Sequence, residues 1–158
     1  MIRSMLVSKW MSPAETVSPD TPFRRALSIM EQKAVRCLVV VDGRELAGIL
    51  TLGDIREAMP ADKITQMIWD VNNTWDTITV SRIMHDIVIT IEPQASIAQA
   101  ADIMLKHGIS RLPVVDRKGR LVGILTSCDI YRMLVDSRRQ QNHAAASAAY
   151  SRFSPVSA

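Results

Sequence analysis

Gly48-Ile49-Leu50-Thr51-Leu52-Gly53-Asp54-Ile55 returns later in the chain as Gly123-Ile124-Leu125-Thr126-Ser127-Cys128-Asp129-Ile130. A segment repeated this closely, once in each half, means one structural unit used twice. The repeat extends outward from there. Val7 to Met11 recurs as Val80 to Met84, an offset of 73; Leu38 to Asp42 recurs as Leu112 to Asp116, an offset of 74; Gly48 and Gly123 are 75 apart. The drift amounts to two single-residue insertions, one before Pro93 and one in the turn Asp116-Arg117-Lys118-Gly119. Two copies do not make a solenoid. They bury their apolar faces by packing against each other.

The chain has 158 residues, 47% of them hydrophobic, which is enough for one domain or for two small subdomains with a shared core. A net charge of +3, with acids and bases interspersed, does not argue for nucleic acid. The N-terminus lacks the apolar stretch of a secretory signal, and the apolar runs are strand-sized. Cys37 and Cys128 are far apart in apolar segments and read as buried thiols of a reducing compartment. The expectation is a cytoplasmic protein with no membrane association.

Each unit reads as β-α-β-β-α, so the fold class is α+β. Short β-branched strands at 16–17 and 88–91 end at Pro19 and Pro93. Phe23, Ala26, Leu27 and Met30 then share one helix face, as do Ile97, Ala100, Ala101 and Met104. Thr21 followed by Pro22 suggests an N-cap and first-turn proline, whereas Ala95-Ser96 is a less clear start. Two apolar runs joined by a short glycine-containing turn form a hairpin in each unit, and a second helix begins near Thr51 or Thr126. The expected organisation is a first unit at 7–60, a linker helix at 61–79, a second unit at 80–136 and a disordered tail at 137–158. Ala144 to Tyr150 could instead extend the last helix. On the linker, Ile64, Met67, Ile68, Val71 and Trp75 share a face. That face is expected to pack on the core, the alternative being a partner contact through Trp69 and Trp75.

The chemistry-bearing part of the repeat is Thr-x-x-Asp: Thr51 with Asp54, and Thr126 with Asp129. One reading is a helix capping box and nothing more. The other uses the same geometry. An ionised carboxylate accepts and cannot donate, so it can take both hydroxyls of a ribose diol. The helix start beside it suits a phosphate.

With these motifs in place, the chain resembles a tandem pair of CBS domains, the Bateman module, over roughly residues 7 to 136. The stretches that carry the resemblance are TVSPDTP, LVVVDG and GILTLGDI, then TIEP, ISRLPVVD and GILTSCDI. The resemblance implies two units related by a pseudo-twofold axis and packed by their sheets. It also implies a regulatory module that binds AMP, ADP, ATP or S-adenosylmethionine in clefts between the units. By the same resemblance Asp54 and Asp129 would hold ribose, and Thr51 and Thr126 ribose or phosphate. Thr16 and Thr90 would line the cleft beside the base. Ile109 to Pro113 would form the adenine wall of the second unit, with Arg111 reaching a phosphate. The first unit departs from this pattern, with Cys37, Val39 and Arg36 where the second has Arg111, Pro113 and Ser110. Its phosphate contact would need Arg36 or Arg56, so the Asp129 site is expected to be the better furnished. The segment Ile68 to Asn72 adds a similarity to stand-alone CBS pairs of the acetoin-utilisation type.

His85, His107 and His143 have no ligand spacing, so no metal site is expected and all three read as solvated. No nucleophile–base arrangement suggests catalysis. The expected function is an adenine-nucleotide sensor acting on an unknown regulated protein, with a homodimer as its assembly. A ligand-free dimerising scaffold, in which both Thr-x-x-Asp boxes are only caps, is the alternative.

Overall fold

A computed structural model of the chain describes residues 5–151, with side chains through residue 148. The elements in order are α1 (Val7–Trp10), β1 (Thr16–Val17), α2 (Phe23–Lys33), β2 (Cys37–Asp42), β3 (Glu45–Thr51), α3 (Leu52–Ala58), α4 (Lys63–Val71) and α5 (Thr74–Thr77). A 3-10 turn at Val80–Arg82 follows, then α6 (Ile97–His107), β4 (Arg111–Val115), β5 (Leu121–Thr126) and α7 (Ser127–Ser151).

In the first unit β1 pairs parallel with β2, and β2 pairs antiparallel with β3. In the second unit β4 and β5 form the same hairpin, with a bulge at the same place: between Val40 and Val41 in one, between Val114 and Val115 in the other. The strand expected at 88–91 shrinks to a single parallel bridge, Ile91 to Val114. The reason is chemical. Val39 donates its amide to the Glu15 carbonyl at 2.9 Å, and Pro113, its counterpart, has no amide to give.

The helix ends also differ from expectation. The N-cap of α2 is Pro22, with no side-chain cap, and the Thr21 hydroxyl instead lies 3.1 Å from that of Ser18. The less clear start is the better capped one. Ser96 and Gln99 close a full capping box on α6. Helix α7 runs on to Ser151, so residues 137–151 are helical where a disordered tail was expected; residues 152–158 lie outside the described part.

Each unit's core is completed by the other unit's lead-in. Val7 belongs to the second core, with Ile97, Leu112 and Leu125. Val80 belongs to the first, with Phe23, Leu38 and Leu50. The amides of Val7 and Ser8 donate to the Ala95 and Pro93 carbonyls, and those of Val80 and Ser81 donate to Thr21 and Pro19. The lead-ins therefore cross over, and the two units are related by a pseudo-twofold exchange.

The linker divides. Asn73 takes a left-handed conformation (φ 52°) that breaks the helix, so Trp75 turns inward onto Phe23 and Trp69. The α4 stripe goes the other way. Ile64 is 72% exposed and Val71 80%, with Met67 and Ile68 also exposed, which corrects the expectation that this face packs on the core. Cys37 is buried as expected, but Cys128 is exposed on the first turn of α7. No helix among the described residues is long and apolar enough to cross a membrane.

Candidate functional site

Strand β3 delivers Thr51 in extended conformation to the start of α3, and β5 delivers Thr126 to the start of α7. In the first turn Asp54 Oδ2 accepts from the Thr51 amide at 2.7 Å and from its hydroxyl at 2.8 Å, while the Asp54 amide donates to Thr51 Oγ1 at 3.3 Å. The second turn repeats the geometry. Asp129 Oδ2 accepts from the Thr126 amide and hydroxyl, both at 2.8 Å, and the Asp129 amide donates to Thr126 Oγ1 at 3.4 Å. Each box caps its helix, and each consumes one carboxylate oxygen in doing so.

The other oxygen is held differently in the two units. His85 Nε2 lies 2.8 Å from Asp54 Oδ1, and since a carboxylate only accepts, the ring nitrogen donates. Arg132 Nη1, three residues along the same helix, donates to Asp129 Oδ1 at 3.2 Å. His85 comes from the second unit's lead-in, and sequence reading passed it over as solvated. The signal that would have found it is the mismatch in the aligned lead-ins, where Ser12 stands in the place of His85.

Among the described residues, two of the clefts where the units meet reach a Thr-x-x-Asp threonine. The one beside Asp54 has a volume of about 380 Å³ and is lined by Thr51 and His85, together with Ile89, Ile109, Ser110 and Arg111. The one that reaches Thr126 measures about 180 Å³ and includes Val35, Arg36, Cys37 and Arg111. Ile109, expected as part of the wall beside Asp129, lines the cleft beside Asp54 and also a cavity with Ser127 and Ile130 at the start of α7. Each cleft joins the threonine of one unit's Thr-x-x-Asp turn to the other unit's wall. Arg111 borders both clefts. Pro113 is buried in the core and lines neither. Thr16 lines a third cavity, with Arg44, Asp116 and Arg120, and Thr90 is half-buried. Burial pushes the Cys37 thiol up to about 11, against the opposing pull of Arg111. Among the described residues no group of His, Cys, Asp or Glu is placed to hold a metal ion.

The sequence signature of the CBS domain matches twice, at residues 7–61 and 80–136. The chain belongs to the CBS domain family. Over 133 residues this CBS pair is 32% identical to a CBS domain-containing protein of Dictyostelium discoideum, covering 83% of the chain and 92% of that protein. It also matches the inosine-5'-monophosphate dehydrogenase of Korarchaeum cryptofilum, 30% identical over 116 residues, but there 73% of the chain spans only 21% of the enzyme. Solved CBS pairs share its fold. CBSX2 of Arabidopsis thaliana, crystallised with AMP, has 25% identity and a TM-score of 0.72, covering 85% of this chain and 98% of that one. The CBS pair of protein MJ0100, in complex with 5'-methylthioadenosine and S-adenosyl-L-methionine, has 32% identity and a TM-score of 0.66, covering 82% and 98%. A putative acetoin utilization protein of Vibrio cholerae has 26% identity and a TM-score of 0.72, covering 88% and 96%. The CBS family membership and the α+β architecture read from the sequence both hold.

Proposed function

We propose that this CBS pair is a cytoplasmic regulatory module that binds an adenosine-containing ligand and has no catalysis of its own. The observation that carries the reading is the cleft beside Asp54. It combines Thr51 of the Thr-x-x-Asp turn, His85 bonded to the Asp54 carboxylate, an apolar wall at Ile89 and Ile109 and a cation at Arg111 in a volume of about 380 Å³. Pockets for ligands of this class measure roughly 300–1,000 Å³. Asp54 and Thr51 would take ribose, Ile109 the base and Arg111 a phosphate. The complexes of CBSX2 with AMP and of MJ0100 with S-adenosyl-L-methionine support the same ligand class. Asp129 and Thr126 would serve the smaller cleft, which takes second place here. Thr16 and Thr90 would lie at the edge of the binding region, and Pro113 would support it from the core.

A module without chemistry acts by binding its ligand more tightly in one state than in another. Its output would go to a protein partner, with a second copy of the chain as its assembly. The exposed α4 stripe of Ile64, Met67, Ile68 and Val71 favours a second reading, a ligand-free scaffold that dimerises through its helices.

A thermal-shift panel of AMP, ADP, ATP, S-adenosylmethionine and adenosine decides between them. A rise in Tm with one of these, lost in Asp54→Ala, supports the sensor. No shift with any of them, and an equal loss of stability in Asp54→Ala with and without ligand, supports the scaffold. Sedimentation at micromolar concentration reports the dimer separately.

A further inference from the structure

The two lead-ins agree through Met11 and Met84 and then part, with Ser12 in one and His85 in the other. Their backbones are pinned alike. Ser12 and Ile124 exchange both amide bonds, at 2.9 and 2.8 Å, and His85 and Ile49 exchange both at 2.9 Å. Only the side chains differ in what they reach. Imidazole spans the junction to Asp54, whereas a serine at the matching place makes no such bond, and Asp129 is held from within its own helix by Arg132. The helical position matching Arg132 carries Glu57 in the first unit, so neither unit can use the other's arrangement.

We infer that His85 is a specificity-determining residue of the cleft beside Asp54, selecting ligands that carry an anionic group as well as a ribose diol. This rests on the adenosine-ligand reading above. A carboxylate has about four acceptor positions, two on each oxygen. On Asp54 the Thr51 amide and hydroxyl fill Oδ2, and His85 takes one place on Oδ1. A diol that uses both of its hydroxyls on Asp54 needs the place that His85 holds. The histidine backbone cannot follow, because Ile49 pins it, but the side chain is 66% exposed and free to turn.

Leaving Asp54 costs His85 its acceptor. A neutral nucleoside returns nothing for it. A phosphate returns an acceptor for the ring N–H, in a cleft that Arg111 already lines. Phosphorylated ligands are therefore favoured by the same residue that blocks unphosphorylated ones.

The test is calorimetric titration of AMP and of adenosine into the wild-type chain and into His85→Ser, which installs the residue found in the other lead-in. Asp129→Asn in both backgrounds isolates the cleft. The expected result is a preference for AMP over adenosine that falls about tenfold in His85→Ser, the scale of a charge-assisted hydrogen bond. In the wild-type chain, without the Asp129 change, the His85 ring resonance is assigned by its loss in His85→Ser. It should move on addition of AMP. An AMP-to-adenosine ratio unchanged by His85→Ser, or a His85 resonance that ignores bound AMP, overturns the inference and leaves the ligand reading standing. If neither AMP nor adenosine binds the wild-type chain the inference falls, and the ligand reading falls with it when ADP, ATP and S-adenosylmethionine also fail to bind.

Discussion

The amide of His85 donates to the carbonyl of Ile49, and the amide of Ile49 donates back to the carbonyl of His85, each at 2.9 Å. The two residues belong to different units, 36 positions apart. This exchange lays the second lead-in flat across β3 of the first unit. The same segment supplies Met84, whose side chain passes directly over Gly48.

Gly48 is therefore a place where no side chain fits. A Cβ there would stand 2.7 Å from the His85 carbonyl oxygen and 2.7 Å from Met84 Sδ. Gly48→Ala is expected to lower stability by about 1–3 kcal/mol in urea denaturation, the usual cost of overpacking. At Gly123 the corresponding distances are 2.9 Å to Ser12 O and 3.1 Å to Met11 Sδ, so Gly123→Ala should cost less. An equal or reversed order would show that the two crossings are not held as described.

Helices α2 and α6 both end in a left-handed residue, but α6 uses Gly108 (φ 61°) and α2 uses Ala34 (φ 51°). The left-handed conformation costs a residue with a Cβ about 1–2 kcal/mol, and glycine gives part of that back through its freer unfolded chain. Ala34→Gly should raise stability by about 0.5–1 kcal/mol. A fall in the denaturation midpoint would count against it.

Trp75 is held by its rings rather than by its nitrogen. It packs at 5.1 Å centroid distance on Phe23 and 5.2 Å on Trp69, and its buried Nε1 has no hydrogen-bond partner among the described residues. Trp75→Phe removes an unsatisfied donor while keeping an aromatic ring, and is expected to stay within about 1 kcal/mol of the parent. Trp75→Ala should cost about 3–5 kcal/mol. The two variants compared by thermal unfolding check this.

The two thiols should separate cleanly by reactivity. Cys128 is exposed and Cys37 is buried, with its thiol pushed from 9.0 to about 11 by burial. A thiol reagent at pH 8 should label one cysteine per native chain and both in denaturant. The folded state also keeps a proton on Cys37 that the unfolded chain gives up between about pH 9 and 11. Folding therefore binds more protons than unfolding in that window, and stability should fall as pH rises through it. Cys37→Ala should flatten that slope.

Much of this was readable from residues a few positions apart. The two hairpins, the helix faces of Phe23 to Met30 and Ile97 to Met104, and both Thr-x-x-Asp boxes are local patterns, and they formed where expected. Misreadings arose where one residue's chemistry overrode a repeat pattern. Pro113 removed a ladder bond from the second sheet, Asn73 broke the linker so that Trp75 left the α4 stripe, and Ser96 found a partner in Gln99.

By itself, then, the sequence determined that one helix–hairpin–helix unit occurs twice and that each copy presents a Thr-x-x-Asp turn, because those features depend on neighbours within a turn or a hairpin. Only the tertiary structure decided which copy each segment serves. The copies are so alike that Val7 or Val80 would satisfy either core by composition, and Ile109 would line either cleft. Packing across the pseudo-twofold axis settled the choice by exchanging the lead-ins, and that exchange placed His85 on Asp54, 31 residues away, marked in the sequence only by its mismatch with Ser12.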